Sequence, residues 1–238
     1  MRSLLAHLRL ELTLLARNGE SLLLTLGIPM LLLVFFANVD VLPIEGEAID
    51  FLAPGVLALA VLSTSLVNLA IATGFEREYG VLKRLGATPL GRPRLLAAKT
   101  LAILAVEVVQ LTVLWLLAVT LGWDPSPRLG FIAAVSFGTV ACAGLGLCLA
   151  GSLKALVTLA AANGLYLVLL LLSGMVIPLD ELPGPARALA RALPSGALTE
   201  AVRGTLTDGG SVPSRAWLVL IAWAVASPLL AARLFRWE

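Results

Sequence analysis

Two places in this 238-residue sequence put residue types at a spacing that could do chemistry. One is the charged run Glu76-Arg77-Glu78, followed by Gly80, Lys83, Arg84, Thr88 and Pro89. Charges flanking a glycine, in a helix that Pro89 terminates, make a short amphipathic rod able to enter a groove of a partner protein. A carboxylate at 76 or 78 would pair with a basic residue of that groove, and Gly80 would permit close backbone approach. A solvated loop would explain the basic residues but not the ordered Glu, Gly and Thr-Pro pattern. The other place is Glu107, the only acidic residue well inside an uncharged apolar run, with Gln110 on the same helical face. An ionisable group there costs about 2.5–3.5 kcal/mol or more unless it is paired or wet. Two readings stand: a cation- or proton-sensitive point on a transport path, or a glutamate near the inner third of a helix satisfied by a neighbour or by interfacial water.

Other chemistries find no residues. The sequence holds no GxxxxGK[ST] loop, no GxSxG elbow and no HExxH pair. Its one histidine, His7, lies near the N-terminus and reads as an interfacial residue, so neither a histidine triad nor a metal site is expected. The aspartates at 40, 50, 124, 180 and 208 all fall outside the apolar runs, which removes intramembrane proteolysis by paired aspartates. Cys142 and Cys148 are about 240° apart on a helix and form no shared site. No catalytic residue and no cofactor bound by this chain are expected.

The elements that must position Glu76–Pro89 and Glu107 follow from composition. Apolar residues make up 59% of the chain and charged ones 13%, against about 45–50% and about 25% in soluble domains. The chain therefore reads as an all-α integral membrane protein, with residues 1–238 forming a single transmembrane domain. Charge-free runs give six transmembrane helices at 21–38, 51–74, 100–122, 129–151, 155–177 and 216–234. The first, about twenty residues in, is longer than a secretory h-region and reads as a retained span. No run alternates with a period of two, so a barrel is not expected. The formal charge of +2 is too small to imply a nucleic-acid partner.

Orientation follows from the basic residues. With the N-terminus inside, twelve of the 17 Lys and Arg residues face the cytoplasm and five face out, so both termini are predicted cytoplasmic. Residues 3–17 put Leu4, Leu8, Leu12 and Leu15 on one face, which suits an interfacial helix on the inner membrane surface; the alternative is the start of a tilted first span. Residues 75–98 form the longest cytoplasmic loop, with a coupling helix in it. Residues 178–213 form an outer segment in which prolines punctuate two short re-entrant helices. In the fourth span Ala134, Gly138, Cys142, Gly146 and Ala150 recur every four residues, a stripe for close packing, more naturally within one subunit than between two.

The loop Glu76-Arg77-Glu78-Tyr79-Gly80-Val81-Leu82-Lys83-Arg84-Leu85-Gly86-Ala87-Thr88-Pro89-Leu90, followed by Arg92 and Lys99, resembles the cytosolic coupling segment of the membrane subunits of type-2 ABC exporters, E-R-E-x-G-x-L-x-x-L-x-A-T-P-L with a basic residue after it. A second stretch, Ser173-Gly174-Met175-Val176-Ile177-Pro178-Leu179-Asp180-Glu181-Leu182-Pro183, then Leu193-Pro194 and Ala201-Val202-Arg203, is similar to that family's S-G-x-x-x-P-x-x-x-L-P signature and the outer helices after it. The resemblance covers essentially the whole chain. It implies a permease in the bacterial cytoplasmic membrane, surrounded by membrane lipids. A separate cytosolic P-loop ATPase, in two copies, would hold ATP and Mg. A second permease subunit, identical or homologous, would face this one around the path. It makes Glu76, Arg77, Glu78, Gly80, Lys83, Arg84, Thr88 and Pro89 coupling residues. Gly174, Pro178, Asp180, Glu181 and Pro183 become an outer gate, and Glu107 and Gln110 the substrate path. Glycan exporters of this class tend to carry aromatic-rich channels, and 6% aromatics leans instead toward multidrug- or antibiotic-type export of a drug-like, antibiotic or lipid-like amphiphile. The competing expectation is a membrane immunity or assembly protein that binds a hydrophobic toxin without moving it.

Topology is directly checkable. With the native cysteines replaced, Gly46→Cys and Asp208→Cys should react with an impermeant thiol reagent on intact cells, and Gly86→Cys only after permeabilisation. Labelling of position 86 from outside would invert the orientation.

Overall fold

The computed structural model describes residues 13, 19–38, 48–86, 92–175 and 178–235. The expected interfacial helix at 3–17 therefore lies, apart from Thr13, outside the described residues, as do Thr88, Pro89, Val176 and Ile177. The described chain is helical, with α1 at Gly19–Asn38, α2 at Ala48–Glu78, α3 at Val81–Gly86, α4 at Arg92–Thr120, α5 at Gly130–Ser152, α6 at Ala155–Leu171, α7 at Gly184–Ala192, α8 at Pro194–Leu206 and α9 at Ser214–Leu234. Among the described residues there is no strand. Four helices (α2, α4 from Arg94, α5 and α9) are long and apolar enough to cross a membrane, and Leu26–Phe35 of α1 and α6 are shorter apolar helices. This is the all-helical architecture of an integral membrane protein, in which backbone groups are satisfied within each segment.

Helix ends depart from the expected boundaries for local reasons. The charged stretch begins as helix: α2 continues through Glu76, Arg77 and Glu78, and turns only at Gly80, whose φ of +70° is open to glycine and costly for other residues. Third-span helix likewise begins at Arg92 rather than 100, because Pro93 occupies the first turn, where a missing N–H is harmless. What reads as a loop at 75–98 is thus helix on both flanks with α3 between them. At the other face α6 stops at Leu171 rather than 177. Ser173 Oγ donates to Leu170 O at 2.7 Å and accepts from Met175 N at 3.0 Å, and Gly174 turns the chain at φ +76°.

Packing centres on α2 and α5. Of the apolar window of α2, 72% is buried, against 22% for α9, so α2 is the interior strut and α9 a peripheral helix lying along α5. One core cluster joins α2, α4, α5 and α8 through Leu57, Leu62, Leu66, Leu114, Val135 and Leu198; a second joins Leu69, Leu82, Leu95, Ile103, Leu147 and Phe235 and so anchors α3 by its buried Leu82. The five stripe residues of α5 are all buried within the chain. Midway along α2 the helix widens into a π segment, Ser63–Asn68, and a Cβ at Gly146 would lie 2.6 Å from the carbonyl oxygen of Leu66 there.

That approach predicts a steep size dependence. Gly146→Val should lower stability by about 1–3 kcal/mol through overpacking, read as thermal unfolding of the purified chain in detergent. Gly164→Ala, where an added Cβ meets nothing within 4 Å, should leave it unchanged or raised.

Candidate functional site

The charged run at the end of α2 makes three bonds to three places. Glu76 accepts from Lys99 Nζ of α4 at 2.7 Å, with the two side chains 21% and 1% exposed. Arg77 Nη2 donates to Leu153 O, in the link between α5 and α6, at 2.6 Å. Glu78 Oε2 accepts from Ala155 N at 3.2 Å, so the first turn of α6 takes its cap from α2 rather than from Lys154 beside it. Sequence reasoning sends Glu76 and Glu78 outward to a partner; the fold gives each a partner inside the chain. The outward surface at this turn includes Glu78 itself, which is exposed, with Tyr79 at 72% exposure, Val81 at 39% and Lys83 exposed beside it. The signal for this was available: Tyr79 follows the charges directly and is a large amphipathic side chain at the turn.

Glu107 is fully buried in α4 and faces α5, where Thr139 donates to its Oε2. Thr139 Oγ1 also lies 2.9 Å from Val135 O, and its single hydrogen serves one acceptor at a time. Oε1 of Glu107 has no hydrogen-bond partner among the described residues. Gln110 is also buried and accepts from Thr64 Oγ1, in the π segment of α2, at 2.9 Å. The two residues that share a face in sequence thus engage different neighbours, one in α5 and one in α2. Thr64 and Thr139 escape a reading of one sequence because a threonine in an apolar span is unremarkable until its partner is known. Glu107 lines a cavity of about 380 Å³ between α4 and α5, with Trp115 and Phe131 also on its wall; Trp115 packs edge-on against Trp123 at 4.9 Å.

At the opposite end the expected gate residues divide between buried Gly174 and the exposed Asp180, Glu181 and Pro183. Leu179–Glu181 forms a single 3₁₀ turn between Pro178 and Pro183. Asp180, 82% exposed, lies 3.7 Å from Arg187 and 3.6 Å from Arg191, and its carbonyl accepts from Arg187. Glu181 and Pro183 are exposed, while Gly174 is buried with Leu179 Cγ 2.7 Å from where its Cβ would be. Exposed ion pairs of this kind contribute little. The firmer tie is Arg203 of α8, which stacks 3.6 Å above the Phe51 ring of α2 and donates to Met175 O at 3.3 Å. Burial lowers its guanidinium to about 10, which leaves it cationic at neutral pH.

The Glu76–Lys99 pair gives a stability test. Lys99→Met strands a carboxylate at a largely buried position and should cost about 3 kcal/mol. Adding Glu76→Gln should recover part of that loss in thermal unfolding, and equal stability of Lys99→Met and wild type would show that the pair does not hold α2 to α4.

Among the described residues no cluster of His, Cys, Asp and Glu could hold a metal ion. A comparison with curated proteins finds no significant match. The sequence profile described as ABC-2 type transporter matches residues 2–207, which takes in the three-way tie at the end of α2, the Glu107 cavity and the outer helices alike. With most of the chain matched and an all-helical membrane fold around those features, this protein belongs to the ABC-2 type transporter membrane family, as a transmembrane permease component of an ABC transporter.

Proposed function

We propose that the chain is the permease of an ATP-driven exporter that moves a drug-like, antibiotic or lipid-like amphiphile out of a bacterial cell. In this reading it lies in the cytoplasmic membrane with both termini inside. It pairs with a second permease subunit, identical or homologous, and two copies of a cytosolic ATPase carry the ATP and Mg.

The observation that supports it is the three-way tie at the end of α2. A displacement of α3 by the ATPase has a rigid route into the membrane. Leu82 anchors α3 in the inner core cluster, Glu76 passes the load to α4, and Arg77 and Glu78 pass it to the α5–α6 link and the start of α6. Gly80, at φ +70°, makes the turn between exposed Tyr79 and α3. The coupling residues then divide into two groups. Tyr79, Val81 and Lys83 meet the ATPase, and Glu76, Arg77 and Glu78 transmit. On the outer side, Gly174, Pro178, Asp180, Glu181 and Pro183 form a cap over the path, held to α2 by Arg203.

The two groups separate by experiment. Tyr79→Ala should weaken the complex with the ATPase by about 2 kcal/mol, the size of an aromatic hot spot, without lowering the stability of the permease. Glu78→Ala should leave that affinity intact but abolish cargo-stimulated ATP hydrolysis. Wild-type affinity with Tyr79→Ala and wild-type coupling with Glu78→Ala, both measured on the co-expressed complex, would remove the coupling assignment.

A further inference from the structure

We propose that the cavity between α4 and α5, with Glu107 on its wall, is a binding site for a lipophilic amine taken laterally from the bilayer. This rests on the permease reading above and names the class of cargo.

Three observations carry it. The first is the carboxyl itself: Glu107 is fully buried, Thr139 satisfies one oxygen, and the other has no hydrogen-bond partner among the described residues. A buried polar atom left open in an apolar span is costly, and a ligand donor removes that cost. The second is the wall. Leu104, Leu111 and Val135 line the cavity beside Glu107, and Trp115 and Phe131 line it about two turns further along α4 and α5, so the donor must arrive on an apolar body whose tail reaches the rings. The cavity's volume of about 380 Å³ falls in the range of small-molecule sites and excludes a glycan or a folded peptide. The third is the rim. Val108, Leu116 and Ile132 border the cavity at 66%, 61% and 65% exposure, and exposed Thr112 among them turns its hydroxyl back to Val108 O, so the opening is largely apolar and on the side of the bundle.

Charge complementarity selects the amine over other amphiphiles. The basic side chains described on α4 are Arg94 and Lys99, both in its first turns, and Lys99 is bonded to Glu76. Among the described residues no basic side chain lines the cavity. A protonated amine supplies both the missing donor and the missing charge, whereas an alcohol supplies the donor alone. From Glu107 the buried polar groups continue inward through Cys142, beside Ser65, and through Thr64 with Gln110, to the π segment of α2. Such local widenings of a helix recur at functional sites.

The test is photolabelling of the full chain, in complex with its ATPase, in lipid nanodiscs without ATP. The probes are a diazirine-bearing dodecylamine and the matching dodecanol. The amine should label residues 104–116 and 131–136, and excess plain dodecylamine should compete it away. Glu107→Gln should reduce amine labelling about tenfold, the loss expected when a charge-assisted hydrogen bond becomes neutral, while alcohol labelling stays unchanged. Ile132→Trp, a change at the exposed rim that spares the core, should reduce both labels by filling the cavity mouth. Equal labelling by amine and alcohol in the wild type would make the cavity an acyl-chain groove and overturn the proposal, as would undiminished amine labelling of Glu107→Gln or a cross-link joining two copies of the chain through Ile132. Because binding is read without ATP, Glu107-dependent labelling with no ATP-driven export would support the site and overturn the export reading instead.

Discussion

Gly146 of α5 lies so close to α2 that a methyl group on it would stand 2.6 Å from the Leu66 carbonyl oxygen, and the bundle is arranged around that approach. Lipid tails are as apolar as leucine, so helices in a membrane gain little from hydrophobic burial against one another and associate through close packing and polar contacts. The small residues of α5 provide the first. Gly138 admits Leu198 of α8, Gly146 admits the π segment of α2, and Gly151 admits Phe235 after α9. The π segment provides the second, since it turns Thr64 toward Gln110 of α4. Without the glycine contact, α2 would stand off from α5, and the polar bonds that depend on their spacing would lengthen.

Two carboxylates within the bundle, one half-buried and one buried, are resolved in opposite ways. Glu76, near one end of the bundle, has a lysine 2.7 Å away and is 21% exposed, so it combines a countercharge with access to water. Glu107, in the middle of α4, has a threonine hydroxyl and a cavity. The first arrangement is that of a structural joint, complete in itself. The second is incomplete by one donor, and incompleteness at fixed geometry is what a binding site needs before its ligand arrives.

Much of this was legible in the residues, and the part that was not has a physical cause. Apolar runs reveal helices because a span must be continuous and uncharged, and the run 51–74 lies within the single helix Ala48–Glu78. Helix ends are harder. Glu76 to Glu78 look like loop because charge is usually solvated, yet each is bonded to another helix or to the link between two and so continues α2. The π segment leaves no mark in STSLVN, because the extra residue in its turn is set by what packs against it. Glu107 and Gln110 were visible as expensive, but Thr139 and Thr64 were not visible as their partners. A pairing across spans is a property of the fold and not of either segment.

The contact between α9 and α5 bears on how the protein is made. It is the most extensive helix pairing among the described residues, with Ser227 Oγ donating to Ala141 O at 2.8 Å and Pro228 N lying 2.7 Å from where a Cβ on Gly144 would be. Yet α9 leaves the ribosome after all the helices it completes. Until residue 214 and those beyond have been inserted, α5 presents a bare face of glycine and backbone to the translocon or to lipid. Its earlier neighbours can be threaded into the bilayer one by one, but the bundle closes only once α9 has followed them. Insertion and folding are therefore separate events here, and the interval between them is when a quality-control protease would distinguish a finished permease from an abandoned one.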